Sequence, residues 1–124
     1  MFAAAAAAVF VAYSHVDARP AATLERRLSS SGCIVLSDRR IRPGDDWTLA
    51  VERMIDRADI VAVLLRSPAS LHVRAEYQRA LRRGKRVIPV VADPRADIPL
   101  PLEPLVRLSL PEVTRSFPCR SSQY

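Results

Sequence analysis

Glycine is scarce. Gly32, Gly44 and Gly84 are the three in 124 residues, and each stands alone at the boundary of an apolar segment. The chain therefore has no glycine-rich dinucleotide fingerprint and no phosphate loop ending in a lysine motif, so a nucleotide ligand must be held another way. Lysine is scarcer still: Lys85 is the single one among 19 basic residues. The net charge of +6 rests on arginine, whose planar fork suits carboxylates and phosphates. No block of five like charges occurs, and the aromatics, 6% of the chain, are not interleaved with the arginines. No nucleic-acid partner is expected.

Cysteine is limited to Cys33 and Cys119. Two cysteines make no framework. Cys33 reads as a small core residue beside a strand and Cys119 as part of an irregular end, which together imply a reducing, cytoplasmic setting. His15 and His72 stand apart, and no Cys/His pair has ligand spacing, so no metal site is expected. Long apolar runs are also missing. The opening stretch Met1–Ala12 falls short of the roughly 20 residues a membrane span needs. It lacks the basic start of a secretion signal. Residues 1–8 read as a low-complexity alanine lead-in, and no membrane partner is expected.

What is present is an alternation of strand and helix in a length that suits one core. Apolar runs at Val9–Tyr13, Ile34–Leu36, Ile60–Leu65 and Val87–Val91 predict strands, with Leu105–Leu110 as a fifth, edge strand. Between them Ala21, Leu24 and Leu28 recur at helical spacing over about Ala18–Ser30, with Asp17 as the expected cap. Trp47, Val51, Met54, Ile55 and Ala58 do the same after Asp45 or Asp46. Val73, Tyr77, Ala80 and Leu81 do so over about Leu71–Arg83. The segment 93–104 carries Pro94, Pro99, Pro101 and Pro104 and reads as extended loop; residues 111–124 read as an irregular tail. The pattern predicts an α/β, flavodoxin-like three-layer sandwich: a central parallel sheet of about five strands, order 2-1-3-4-5, helices on both faces and the final helix missing. In that order a crevice opens at the carboxyl ends of the first and third strands. Tyr13-Ser14-His15, the turn Ser67–His72 and the start of the third helix converge there.

Glu76 lies in this last segment, three residues after Val73 and four before Ala80, at the edge of the buried stripe. A solvated glutamate is the ordinary outcome for that residue type; a glutamate facing the crevice is a catalytic candidate.

Taken together these segments resemble a Toll/interleukin-1 receptor (TIR) domain of the bacterial kind. Val9-Phe10-Val11-Ala12-Tyr13-Ser14-His15 is similar to the family's first box. Asp38, Ile41, Pro43, Gly44 and Trp47 are similar to the second box and its mobile BB loop. Ser67-Pro68, Ser70 and Val73-Arg74-Ala75-Glu76 resemble the entry to the third helix, and Arg86–Val90 the fourth strand. The resemblance covers about residues 9–110. It implies one of two functions. Enzymatic members cleave NAD⁺ at the nicotinamide–ribose bond, as immune or toxin effectors activated by self-association; other members are non-catalytic modules that bind further TIR domains. The resemblance assigns the catalytic carboxylate of the enzymatic branch to Glu76, with NAD⁺ as substrate and no separate cofactor. His72 stands where that branch carries Trp, and the turn before it is about two residues shorter than common.

Nicotinamide is a cationic leaving group and needs no general acid. One carboxylate can stabilise the oxocarbenium-like charge and orient water or an adenine nitrogen. Tyr13, Ser14, Asp38, Trp47, Ser67, Ser70 and His72 are the expected ligand contacts. Several carry a structural alternative: Ser70 as a helix cap, Ser14 as a turn former, Trp47 as core, Asp38 as an anchor for loop backbone. Arg39, Arg40 and Arg42 read either as a solvated loop face or as a contact with a second TIR domain. A receiver-like phosphorylation domain is excluded because Arg66 and Ser67 occupy the place of its acceptor Asp. A nucleoside deoxyribosyltransferase relative, which also uses a crevice glutamate, would be marked by cleavage of free nucleosides.

Overall fold

The structure, a computed structural model, describes residues 5–120, with the side chain of Arg40 outside that description. The first four residues of the alanine lead-in, the last four of the tail and any role for the Arg40 side chain thus lie outside the described residues.

Five parallel strands form one sheet in the order β2-β1-β3-β4-β5. They are β1 (Ala8–Ala12), β2 (Ile34–Leu36), β3 (Ile60–Leu65), β4 (Arg86–Val91) and β5 (Leu108–Ser109). The helices are α1 (Ala18–Ser30), α2 (Trp47–Arg57), α3 (Leu71–Arg82) and the single turn α4 (Val113–Ser116). Strand periodicity divides the core. Val9 and Val11 of β1 join Ala62, Leu64, Ile88 and Val90 beneath α1 and α4. Phe10 and Ala12 join Val61, Val63, Leu65 and Val87 beneath α2 and α3. All of β3 is buried, as a central strand covered on both faces must be. The flavodoxin-like sandwich and its strand order are as expected.

Local chemistry sets the helix ends. Asp46 caps α2 by accepting from the Leu49 N–H at 2.9 Å, while Asp45 closes the preceding turn on the Arg42 N–H. Ser70 caps α3 by accepting from Val73 N–H at 3.2 Å. Gly84, at φ +66°, takes the left-handed position after α3 that a side chain would disfavour.

Several expectations are corrected. β1 starts one residue earlier than expected and stops before Tyr13, and the lead-in is not all outside the core, since Ala7 is buried. Leu81 lies on the exposed side of α3, because the sheet takes only the stripe of Val73, Glu76, Tyr77 and Ala80. The fifth strand shrinks to two residues paired with Val90 and Val91. Within the proline-rich loop a turn of 3₁₀ helix at Leu100–Leu102 buries Leu102.

The largest correction concerns the end of the chain. Cys33 and Cys119 form a disulfide, with Cα atoms 4.6 Å apart across 86 residues of sequence. Ala7 N–H donates to the Cys119 carbonyl at 2.8 Å, Ala6 pairs with Arg120, and Val113 and Phe117 pack under α1. The residues from Pro111 to Arg120 are thus packed rather than irregular, although a single turn is all that stands in place of a full last helix. The expectation of two free thiols falls, and with it the argument they offered for a reducing compartment. Among the described residues no helix is long and apolar enough to cross a membrane.

Candidate active site

Parallel crossovers bring the N-termini of α2 and α3 to the same end of the sheet, where β1 and β3 finish. α2 and α3 lie side by side on one sheet face, and a cavity of about 140 Å³ opens between them. Its walls follow helical spacing: Trp47, Val51 and Ile55 with Thr48 and Glu52 from α2, and His72, Ala75, Glu76, Arg79 and Arg82 from α3. Ligand pockets that enclose a drug-sized molecule span about 300–1,000 Å³. This one fits a single ring or sugar, with the rest of a larger ligand lying across its open side.

Glu76 is buried at 8% exposure and still lines the cavity. Among the described residues no donor or cation bonds its carboxyl group, while the negative charge of Asp38 lies near enough to act on it. Burial first, and Asp38 second, push its pKa from 4.5 up to about 8. The empty site therefore holds a neutral carboxylic acid at pH 7 that any cationic ligand would help to ionise. At the cavity mouth the Trp47 and His72 rings meet edge to face, centroids 5.1 Å apart. The aromatic wall is thus shared between two helices.

The Tyr13 hydroxyl donates to Asp38 Oδ1 at 3.2 Å. Burial, and then the Asp38 charge, raise the Tyr13 pKa and keep the phenol protonated. Tyr13 and Asp38 do not wall the cavity; Asp38 acts on Glu76 through its charge, and Tyr13 donates to Asp38.

The three serines shape the loops. Ser14 Oγ donates to the Pro68 carbonyl at 3.3 Å and accepts from the Ser70 N–H at 3.3 Å, tying the first turn to the third. Ser70 also caps α3. Ser67 is turned away from the cavity altogether. Its hydroxyl and its N–H both donate to Asp17, at 2.8 and 3.1 Å. Arg39, expected on a solvated loop face, lies 3.1 Å from Glu25 in an ion pair off the hydrogen-bonding axis. Arg42 is exposed on the loop before α2.

Asp17 was not legible in the sequence in this role. Expected to cap α1, its side chain makes no cap bond and is 1% exposed. It accepts instead from Arg66 Nη1 at 3.2 Å and from both Ser67 donors, so one carboxylate joins the ends of β1 and β3. Sequence reasoning also missed Thr48, Glu52, Arg79 and Arg82. The available signal was helical spacing: 47/48-51/52-55 in α2 and 72-75/76-79-82 in α3 put them on the facing sides of the two helices. Among the described residues no three His, Cys, Asp or Glu side chains gather as a metal ion would need.

Comparison with known proteins agrees with this architecture. The sequence model of the TIR-domain family matches residues 9–117. The chain is similar to the crystal structure of the TIR domain of the Toll-related receptor TRR-2 from Hydra magnipapillata. There the TM-score is 0.71 at 21% identity, over 82% of each chain. It is also similar to a CMP N-glycosidase, BcmB, of Clostridium botulinum, with a TM-score of 0.54 at 22% identity over 68% of this chain and 71% of that one. No curated protein sequence matches it.

Proposed function

The chain belongs to the TIR-domain family, and we propose that within it this chain is an N-glycoside hydrolase that cleaves NAD⁺ at the nicotinamide–ribose bond. The observation that carries the reading is Glu76: a buried carboxyl group, with no partner among the described residues, in a ring-sized cavity walled by Trp47 and His72. A structural glutamate at such depth would have a basic partner; desolvation without one is the mark of a working group. The fold neighbour named as a CMP N-glycosidase supports the reading, since it puts N-glycosidic cleavage among the reactions this fold hosts.

The nicotinamide ring packs against Trp47 and His72. Its positive charge favours the ionised form, so Glu76 gives its proton to solvent and a carboxylate is left beside the ribose. The C–N bond then breaks with its electron pair leaving on nicotinamide, which departs neutral. Glu76 stabilises the positive charge left on the sugar, and the low dielectric of the buried site strengthens that attraction. A water attacks the anomeric carbon, its proton passes to Glu76, and the products are ADP-ribose and nicotinamide. Burial, and secondly Asp38, keep the proton affinity of Glu76 high enough to accept it.

Self-association with other TIR domains is favoured by a separate observation. Residues 42–46 and Leu49 are exposed on the loop and outer face of α2, where Arg42, Arg53 and Arg57 surround Leu49 and Met54. A groove that pairs exposed Leu49 with arginines and with Asp45 and Asp46 suits a protein partner of mixed charge. This interaction can activate the enzyme or, in a purely non-catalytic module, be the whole function.

The test is incubation of concentrated protein with NAD⁺ and assay of released nicotinamide. Wild type is expected to release it, and Glu76→Ala to abolish release while keeping the native circular dichroism spectrum. An inert wild type, even when artificially oligomerised, would overturn the enzymatic reading. A dimer broken by substitution of Arg42 or Pro43 would then leave the interaction module standing.

A further inference from the structure

The cavity holds two cations as well as Glu76, and they differ in how they are engaged. Arg79 is fully committed: it donates to both Asp56 oxygens at 3.2 and 2.9 Å and lies 3.6 Å from Glu52. Asp56 is further held by Arg83 at 3.7 Å, and its backbone carbonyl accepts from Lys85. Arg82 lines the same cavity with no carboxylate partner among the described residues. Other arginines on this surface are also free, but Arg79 and Arg82 are the ones that wall the cavity.

The helix sets the spacing. Six residues separate Glu76 from Arg82, a rise of about 9 Å along α3. Side chains on a helix lean toward its N-terminus, which carries the Arg82 guanidinium up the groove toward Glu76. That rise is on the scale of a ribose carrying a phosphate on its 5′ carbon, and both side chains line the one cavity. Glu52 also lines the cavity; Arg79, 3.6 Å away, offsets part of its charge, and its exposure to solvent screens the rest.

We infer that Arg82 binds the 5′-phosphate of the ligand whose glycosidic carbon lies at Glu76, so that the site selects nucleotides over unphosphorylated nucleosides. This rests on the N-glycoside hydrolase reading for the position of the sugar. A guanidinium–phosphate contact at a half-open site contributes a charge-assisted hydrogen bond, or two if bidentate. Arg82 therefore determines specificity; the bond broken at Glu76 is the same for nucleotide and nucleoside.

The experiment compares NAD⁺ with nicotinamide riboside, which shares the reacting bond and lacks the phosphate. Wild type is expected to have a KM lower for NAD⁺ than for the riboside, and Arg82→Ala to shrink that ratio about tenfold or more, the worth of one charge-assisted bond. Arg82→Lys should restore part of it, as a point charge does in place of a fork. Arg86→Ala, which removes a similar charge away from the cavity, should leave the ratio as it was. A ratio equally changed by Arg86→Ala, or untouched by Arg82→Ala, overturns the inference while leaving the hydrolase reading intact. If wild type cleaves neither substrate, the hydrolase reading fails by itself, and binding of ADP-ribose decides. A rise in melting temperature with ADP-ribose that Arg82→Ala loses still supports the phosphate site; no rise in wild type, or the same rise in the variant, refutes it.

Discussion

Replacing Glu76 with glutamine removes a titrating group at almost constant volume. In the folded protein the Glu76 carboxyl group keeps its proton up to about pH 8, whereas in the unfolded chain it releases it near 4.5. Between those two values the folded state binds more protons than the unfolded one. The Glu76 contribution to the unfolding free energy of wild type must therefore fall as pH rises, by about 1.4 kcal/mol per pH unit. Over the roughly 3.5 pH units from 4.5 to about 8 this amounts to about 5 kcal/mol, of which about 3 kcal/mol is already lost at pH 7. That is a large share of the ~5–15 kcal/mol that holds a domain together. Glu76→Gln has no such term. The stability of the variant relative to wild type should be flat below about pH 4.5, rise in its favour up to about pH 8, and then level off. Urea unfolding of both proteins at pH 4, 6, 7 and 8.5 measures it, because every other titration is shared and cancels in the difference. Parallel pH curves would mean that the carboxylate is not desolvated. A wild type that gains stability with pH relative to the variant would mean that the carboxylate is paired in the folded state. Either outcome refutes the site as described.

Three further outcomes are expected. If ionised Glu76 carries the reaction, kcat/KM for NAD⁺ should rise with pH through about 8 and level off above it, while the kcat profile shifts to lower pH because the bound pyridinium favours the carboxylate; a kcat/KM flat from pH 5 to 9 would count against it. Asp17→Ala strips Arg66 and Ser67 of a buried acceptor and should cost about 3 kcal/mol, read from the urea midpoint, with a raised KM because the Ser67–Ser70 turn loosens; a loss below 0.5 kcal/mol would show the linkage to be ornamental. Replacing Cys33 and Cys119 together with serine opens an 86-residue loop and should lower the unfolding free energy by about 4–5 kcal/mol on the chain-entropy account; an unchanged midpoint would mean that the bridge adds nothing to the packing of Val113 and Phe117.

The strand and helix order was legible because each signal is local. A six-residue all-apolar run such as Ile60–Leu65, too short for a helix and rich in β-branched residues, reads as a strand covered on both faces, and Asp46 and Ser70 cap the helices that follow them by reaching three residues ahead. Glu76 could be singled out because the helix period set it beside Val73 and Ala80. What it could not show was whether a donor would come to meet that carboxyl group. That depends on α2 and on the loop carrying Asp38, which are distant in sequence. Asp17 misled for the same reason: before a helix an aspartate reads as a cap, and only the neighbouring ends of β1 and β3 bring Arg66 and Ser67 to it. The cysteines misled through number and spacing, neither of which reports a distance in space.

By itself the sequence determined the fold class, the strand order and the end of the sheet where a site would form, since apolar periodicity, caps and right-handed crossovers act over a few residues at a time. Tertiary structure alone decided that Glu76 is neutral, that among the described residues neither it nor Arg82 has an ion-pair partner while Arg79 does, that Trp47 and His72 share a wall, and that Cys119 is bridged to Cys33 just before β2. Those outcomes follow from which groups meet after the helices dock, and desolvation and charge pairing take effect only at contact.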